Sequence, residues 1–247
     1  MAELISSFQL SGVLWVLVVS DLDLTADVRV IHPSQFLKST VKDFIVNINN
    51  DYRYLKIGYY VSLHAEVIGD AVIPSSEDII DANRTPLLLL RAAKAGVPTM
   101  PFLVTDSVKK IMLEYGFPVA VFAVNPFVYS GYKIAHNRSA LYRAVKSLSM
   151  NYKFAVCAQP LKGELVSFKS VFGKCSETND EKVQEILAKV YEVFRIPVCK
   201  LHIQRVEGKG YLCGFQPLKR NELSPSVVQQ ISQEVLLLSK QDDHVND

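Results

Sequence analysis

Residues 118–133 read Pro118-Val-Ala-Val-Phe-Ala-Val-Asn-Pro-Phe-Val-Tyr-Ser-Gly-Tyr-Lys133. The apolar run at 119–124 lies between Pro118 and the Asn125-Pro126 breaker, which predicts a buried strand. A turn with one glycine, Gly131, then leads into a partner strand, Tyr132-Lys-Ile-Ala135. On the upstream side, Thr105-Asp106-Ser107 caps a short helix with Val108, Ile111, Met112 and Tyr115 on one side, and Gly116-Phe117-Pro118 turns the chain into the hairpin. Downstream, Asn137 caps a helix with Leu141, Ala144, Val145 and Leu148 at helical spacing, and strands at 154–158 and 165–172 follow, joined through Lys162-Gly163.

The first 80 or so residues alternate strands with at least one helix, which predicts an α/β arrangement passing into α+β in the second half. Strands are expected at 13–19, 28–30 and 43–49. A helix in 52–69 presents Tyr60, Leu63, His64 and Val67 on one face and stops at Gly69, before a strand at 71–73. Thr85-Pro86 reads as N-cap and first turn of a helix over 87–95, ended by Gly96, with an extended segment at 97–104. Residues 181–194 form an amphipathic helix through Val183, Ile186, Leu187, Val190 and Phe194. A hairpin at 197–205 and 210–216 turns at Glu207-Gly208-Lys209, a last helix follows Ser224-Pro225 over 227–238, and a polar tail begins at Gln241.

The composition bounds the function classes. A chain of 247 residues, nearly half of them hydrophobic and about a fifth charged, has the balance of a globular protein with a full core. Its net charge of +2, with lysines scattered along the chain, gives no reason to expect nucleic acid or an anionic membrane. The longest apolar runs fall short of the roughly 20 residues that span a bilayer, and the N-terminus lacks a secretory pattern, so a cytoplasmic location is expected. Cys157, Cys175, Cys199 and Cys213 form no CxxC pair and read as buried free thiols, with zinc or a disulfide as the alternatives.

Two groups of phrases carry a resemblance. Tyr52-Arg53-Tyr54, Gly58-Tyr59-Tyr60-Val61-Ser62-Leu63, Ala65-Glu66 and Pro74-Ser75 resemble the domain that precedes the ATP-grasp module in RimK-like proteins. Asn83-Arg84, Ala95-Gly96-Val97-Pro98, Leu103-Val104-Thr105-Asp106, Gly116-Phe117-Pro118-Val119 and Phe172-Gly173-Lys174, in that order, resemble an ATP-grasp module. The resemblance implies an N-terminal pre-ATP-grasp domain at 1–82, a reduced ATP-grasp-like domain at 83–240 and a tail at 241–247.

The resemblance also implies a chemistry: activation of a carboxylate as an acylphosphate for attack by an amine, with ATP and magnesium. The protein's part in such a reaction is positioning and positive charge at the transferring phosphate. The family's phosphate-binding lysine falls at Phe122. Its glycine-rich loop falls on residues 125–131, which keep Gly131 but add Phe127 and Tyr129. Lys133 is the candidate substitute cation, although a surface strand lysine is its plain reading. At the adenine hinge, Gln159 is present and its acidic neighbour is replaced by Pro160. At the metal pair, Gly214 and Gln216 stand where the pattern has acids or amides that hold magnesium. The span from Lys174 to Glu181 is too short for the family's catalytic strand and loop.

No catalytic or metal-ligating residue is therefore expected, and no cofactor. The expected role is a non-enzymatic binding or scaffold protein, with Phe122, Phe127 and Tyr129 closing the empty cleft, and with an unknown protein or a second copy as partner. The alternatives are an ATP-dependent carboxylate-amine ligase completed by Lys133, Lys162, Gln159 and Glu164 or by a second chain, and a small-ligand sensor without turnover. Arg53, at the start of a helix, is a candidate anion site. Asp106, Glu114, Glu164 and Glu207 read as solvated acids, and His64 and His202 as packed side chains.

Overall fold

The computed structural model describes residues 16–24, 29–125, 127 and 131–243. In chain order the elements are β1 (Val16–Ser20), β2 (Arg29–Ile31), α1 (Pro33–Phe36), β3 (Phe44–Ile48), α2 (Ile57–Ile68), β4 (Val72–Ile73), α3 (Ser76–Ala82), α4 (Thr85–Lys94), β5 (Leu103–Thr105), α5 (Val108–Tyr115), β6 (Val119–Ala123) and β7 (Tyr132–Ala135). Then come α6 (Arg138–Leu148), β8 (Val156–Pro160), β9 (Glu164–Val171), α7 (Glu181–Phe194), β10 (Val198–Val206), β11 (Lys209–Gln216) and α8 (Pro225–Asp243). The parts of the expected strands at 13–15 and 28, and the tail at 244–247, lie outside the described residues.

The described residues form three sheets. The first, in the order β2-β1-β3-β4, is parallel throughout. The second, β5-β8-β6-β7, is antiparallel and contains the 118–133 hairpin. The third, β11-β10-β9, is also antiparallel. Its β10–β11 turn has positive φ at Glu207 and Gly208, the conformation that suits a tight two-residue hairpin.

Packing divides the faces. Helices α5 and α6 cover one face of the second sheet, where Val119, Val121, Ala135, Val156 and Ala158 meet Ile111, Leu141 and Val145. The opposite face, with Ala120, Phe122 and Cys157, joins a larger core that includes Leu201, Ile203 and Leu212 and the buried sides of α4 and α7. Residues before and after position 82 share this core, and α8 extends a second one by packing Val227, Ile231 and Val235 with Val18, Val46 and Ile48. Arg91 adds a polar tie: it donates to Asp81 at 2.9 Å, to Asp78 at 2.7 Å and to the carbonyl of Val193 at 3.2 Å.

Three local expectations need correction. In α2 the buried side is Gly58, Tyr59, Val61, Ser62 and Ala65, while Tyr60 and Val67 are exposed. The reason is a buried polar contact: Asn47 of β3 donates to the Gly58 carbonyl at 2.7 Å and to Ser62 Oγ at 2.8 Å, which requires the small, polar side of the helix to face the sheet. Thr85 is the first residue of α4 rather than its cap, and its hydroxyl donates to the Ala123 carbonyl at 3.1 Å, tying α4 to the end of β6. Helix α8 runs to Asp243, past the point where the tail was expected to begin.

The same polar network supplies a test. Tyr52 is fully buried; its hydroxyl donates to the Asn47 carbonyl and accepts from the Asn49 amide, each at 2.9 Å. Tyr52→Phe removes both hydrogen bonds from buried backbone groups and is expected to cost about 1–3 kcal/mol. Urea unfolding checks this: the midpoint should fall at unchanged slope, and an unaltered midpoint would show that the hydroxyl is not a structural tie.

Candidate functional site

The second and third sheets face each other across a narrow interior, and Phe122 fills its centre. The ring is almost fully buried. It lies 5.4 Å from the Tyr132 ring and 6.3 Å from the His202 ring, centroid to centroid. It also lies directly over Gly214, where an added Cβ would come within 2.6 Å of the Phe122 ring. Phe122 and Gly214 are therefore a matched pair: the aromatic side chain on β6 is possible because β11 offers no side chain opposite it.

The strand β8 and the residues after it hold the second half of the site. Gln159 lies within β8, is fully buried, and donates through Nε2 to the Cys213 carbonyl at 2.7 Å. That carbonyl is available because the β10–β11 ladder shifts register between His202 and Ile203 and leaves Cys213 as the extra residue of a bulge. Gln204, two residues along β10 from His202, is also fully buried. Its Oε1 accepts from the amides of Lys162 at 2.5 Å and Gly163 at 3.0 Å, while its Nε2 donates to the Pro160 carbonyl at 3.2 Å. One side chain thus satisfies both the donors and the acceptor of the 160–163 backbone. Gly163 permits the approach, since a Cβ there would fall 1.9 Å from the Arg205 carbonyl. Sequence reasoning missed Gln204, because nothing local marks a contact between residues 42 positions apart.

His202 is 1% exposed, shares a 2.8 Å hydrogen bond between Nδ1 and Ser167 Oγ, and meets the Tyr132 ring edge-on at 4.8 Å. Burial pushes its pKa down to about 4, with the Lys200 charge acting the same way and the Gln216 side chain opposing. Gly131 lies against the same pair: a Cβ on it would sit 2.9 Å from His202 Nε2 and 3.1 Å from Gln216 Oε1. Of the vestige residues read from sequence, Phe122, Gly131, Gln159 and Gln216 come together around this interior.

Lys133 and Arg53 lie elsewhere. Lys133 is exposed and its Nζ donates to Ser147 Oγ of α6 at 2.8 Å, the situation of a surface strand lysine. The Arg53 guanidinium is held by its neighbour Asp51, with Nη2 donating to Oδ2 at 2.6 Å and Nε to Oδ1 at 2.9 Å, so an anion there competes with a carboxylate already in place. Phe127, expected to help close the cleft, is instead 55% exposed and meets Tyr54 at 6.3 Å. Its backbone amide donates to Asn125, whose buried side chain pins the loop to the Leu148 carbonyl and holds Phe127 away from the cleft. Tyr129 lies outside the described residues.

All four cysteines are free and buried. Burial pushes Cys157, Cys199 and Cys213 up to about 12 and raises Cys175, so none is a thiolate nucleophile at neutral pH. Asp106, Glu114, Glu164 and Glu207 are exposed as expected. Among the described residues no cluster of three or more His, Cys, Asp or Glu side chains could hold a metal ion, and no helix is long and apolar enough to cross a membrane.

Comparison with known proteins gives a consistent picture. The sequence profile of the RimK-like ATPgrasp N-terminal domain matches residues 33–234. No curated protein matches by sequence. Among solved structures, a RimK domain ATP-grasp protein from Sphaerobacter thermophilus is similar with a TM-score of 0.61 and 11% identity, over 89% of this chain and 98% of that one. A D-alanine–D-alanine ligase from Bacillus anthracis gives 0.60 and 11%, over 93% and 99%. The ATP-grasp ligase PsnB, complexed with a precursor peptide and AMPPNP, gives 0.58 and 14%, over 91% and 98%. At such identities the likeness is one of fold.

The buried His202 predicts a pH dependence. Its folded pKa of about 4 lies below the ordinary value, so the unfolded chain takes up a proton first as the pH falls. The contribution is complete above about pH 6.5, is lost progressively down to about pH 4, and totals about 3 kcal/mol. Urea unfolding of the wild type and of His202→Asn between these limits should give a steeper loss for the wild type. Parallel pH profiles would show that the ring is not held neutral.

Proposed function

Because the chain belongs to the RimK-like ATP-grasp N-terminal domain family, we propose that it is a catalytically degenerate member, working as a non-enzymatic binding or scaffold protein. The observation that carries this reading is Phe122 packed on Gly214. Phosphoryl transfer needs fixed positive charge and metal at the phosphates, and the family's lysine position here is an apolar ring buried between two sheets.

Two further features support it. A purine base is held at a hinge by pairing its adjacent acceptor and donor with backbone groups, and an amide side chain presents the same pair of functions. Gln204 already makes those bonds, to Pro160, Lys162 and Gly163. At the metal position Gly214 brings no ligand and Gln216 at most a neutral one, so this pair offers no carboxylate oxygen to a hard cation. On this reading the residues present do not fit magnesium and ATP. Of the residues that would complete the ligase alternative, Lys133, Lys162, Gln159 and Glu164 or those of a second chain, Gln159 donates through Nε2 to Cys213 and Lys133 is bound to Ser147 on the α6 side of its sheet. A binding role also fits the exposed apolar side chains around the loop after β3: Tyr54, Leu55, Ile57 and Tyr60, with Phe127 against Tyr54.

Titration calorimetry with ATP and magnesium tests the proposal, with no binding expected at nucleotide concentrations up to about 1 mM. Micromolar binding, or ADP release that depends on an amino-acid or peptide acceptor, would overturn it.

A further inference from the structure

Residues 115–163 contain no Asp or Glu, while they carry Lys133, Arg138, Arg143, Lys146, Lys153 and Lys162. All six cations are exposed, and none pairs with a carboxylate among the described residues. In the sequence they are scattered; the fold gathers four of them. Helix α6 buries Leu141, Ala144, Val145 and Leu148 against the second sheet, which leaves Arg138, Tyr142, Arg143 and Lys146 on its solvent side. The Arg138 guanidinium lies over the Tyr142 ring at 5.7 Å. Lys133 joins the group from β7 through its bond to Ser147, one turn from Arg143 along the helix.

The strand that carries Lys133 has a second property. In the order β5-β8-β6-β7, β7 is the edge, and among the described residues no strand pairs with its outer side. Side chains alternate along it: Lys133 points to the α6 side with Ala135, and Ile134, 37% exposed, points to the other. An open edge accepts an added strand through backbone hydrogen bonds, and flanking side chains then select its sequence.

We propose that β7 and α6 form a docking edge for an extended acidic segment of a partner protein, which adds as a strand beside β7. Acidic side chains on one face of the incoming strand meet Lys133, Arg143 and Lys146, and apolar ones on the other meet Ile134. An open strand edge and an exposed isoleucine favour a peptide over a nucleic acid, whose backbone offers a strand no complementary ladder. The proposal stands whether or not the interior between the sheets binds nucleotide, so the two readings fail separately.

Fluorescence anisotropy with the full chain tests it. The probe is a labelled peptide of about eight residues alternating Glu and Val. The comparison ligands are a block-ordered peptide of the same composition and a single-stranded oligoribonucleotide of similar charge. The alternating peptide should bind, should weaken about tenfold or more in about 0.5 M salt, and should weaken similarly with Arg143→Glu plus Lys146→Glu and with Lys133→Glu. These substitutions are on the surface, and circular dichroism confirms that the variants fold. Hydrogen exchange should show the bound peptide protecting the outward-facing backbone amides within 132–135, those that do not bond to β6. Absence of binding, equal binding of the block-ordered peptide, or unchanged affinity in the charge-reversed variants overturns the proposal. So does tight binding of the oligoribonucleotide lost in the same variants, which would make the face a nucleic-acid site.

Discussion

The close contact between Phe122 and Gly214 is the constraint around which the two antiparallel sheets are arranged. With a Cβ at position 214 excluded by a 2.6 Å approach, the sheets stand at a separation set by one aromatic ring. Close packing of this kind fills the space around the ring, and the neighbouring polar side chains bond to protein. Gln159 bonds to the bulged Cys213 carbonyl, Gln204 bonds to the 160–163 backbone, and His202 lies between Tyr132 and Ser167. Each is a buried side chain that bonds to protein on another element or across the sheet.

These internal bonds join parts that are distant in the chain. Gln204 and Gln159 couple β8 and the following residues to β10 and β11, so the second sheet is fastened to the third through buried amides as well as through apolar contact. Buried amides of this sort are favourable only when their partners are present, which makes the interior specific and intolerant of partial change. Stability, the neutral state of His202 and the filled interior are consequences of one arrangement.

The sequence made the elements near the central hairpin legible because local chemistry decides them. Asn137 and Ser107 cap α6 and α5 through their own side chains, and the apolar spacing of α6 and α7 corresponds to their buried faces. The face of α2 was not legible, because Asn47, a buried polar residue on another element, outweighs the apolar stripe. At the site, Phe122 and Gly214 could each be read as a substitution within a recognised pattern, but their contact could not, since it depends on how two sheets meet. Gln204 gave no local sign at all. The basic face of α6 was half legible: the lack of acids over 115–163 is visible in the sequence, whereas the bond that brings Lys133 to the helix belongs to the fold.

The central claim is that protein side chains occupy the interior between the second and third sheets. A crystal structure grown with magnesium and a non-hydrolysable ATP analogue tests it most directly. The account predicts Phe122 over Gly214, the Gln204 amide on Pro160 and Lys162, and no nucleotide between the sheets. Phe122 rotated out of the interior, with an adenine ring bonded to the backbone of 160–162 in place of Gln204, would contradict it.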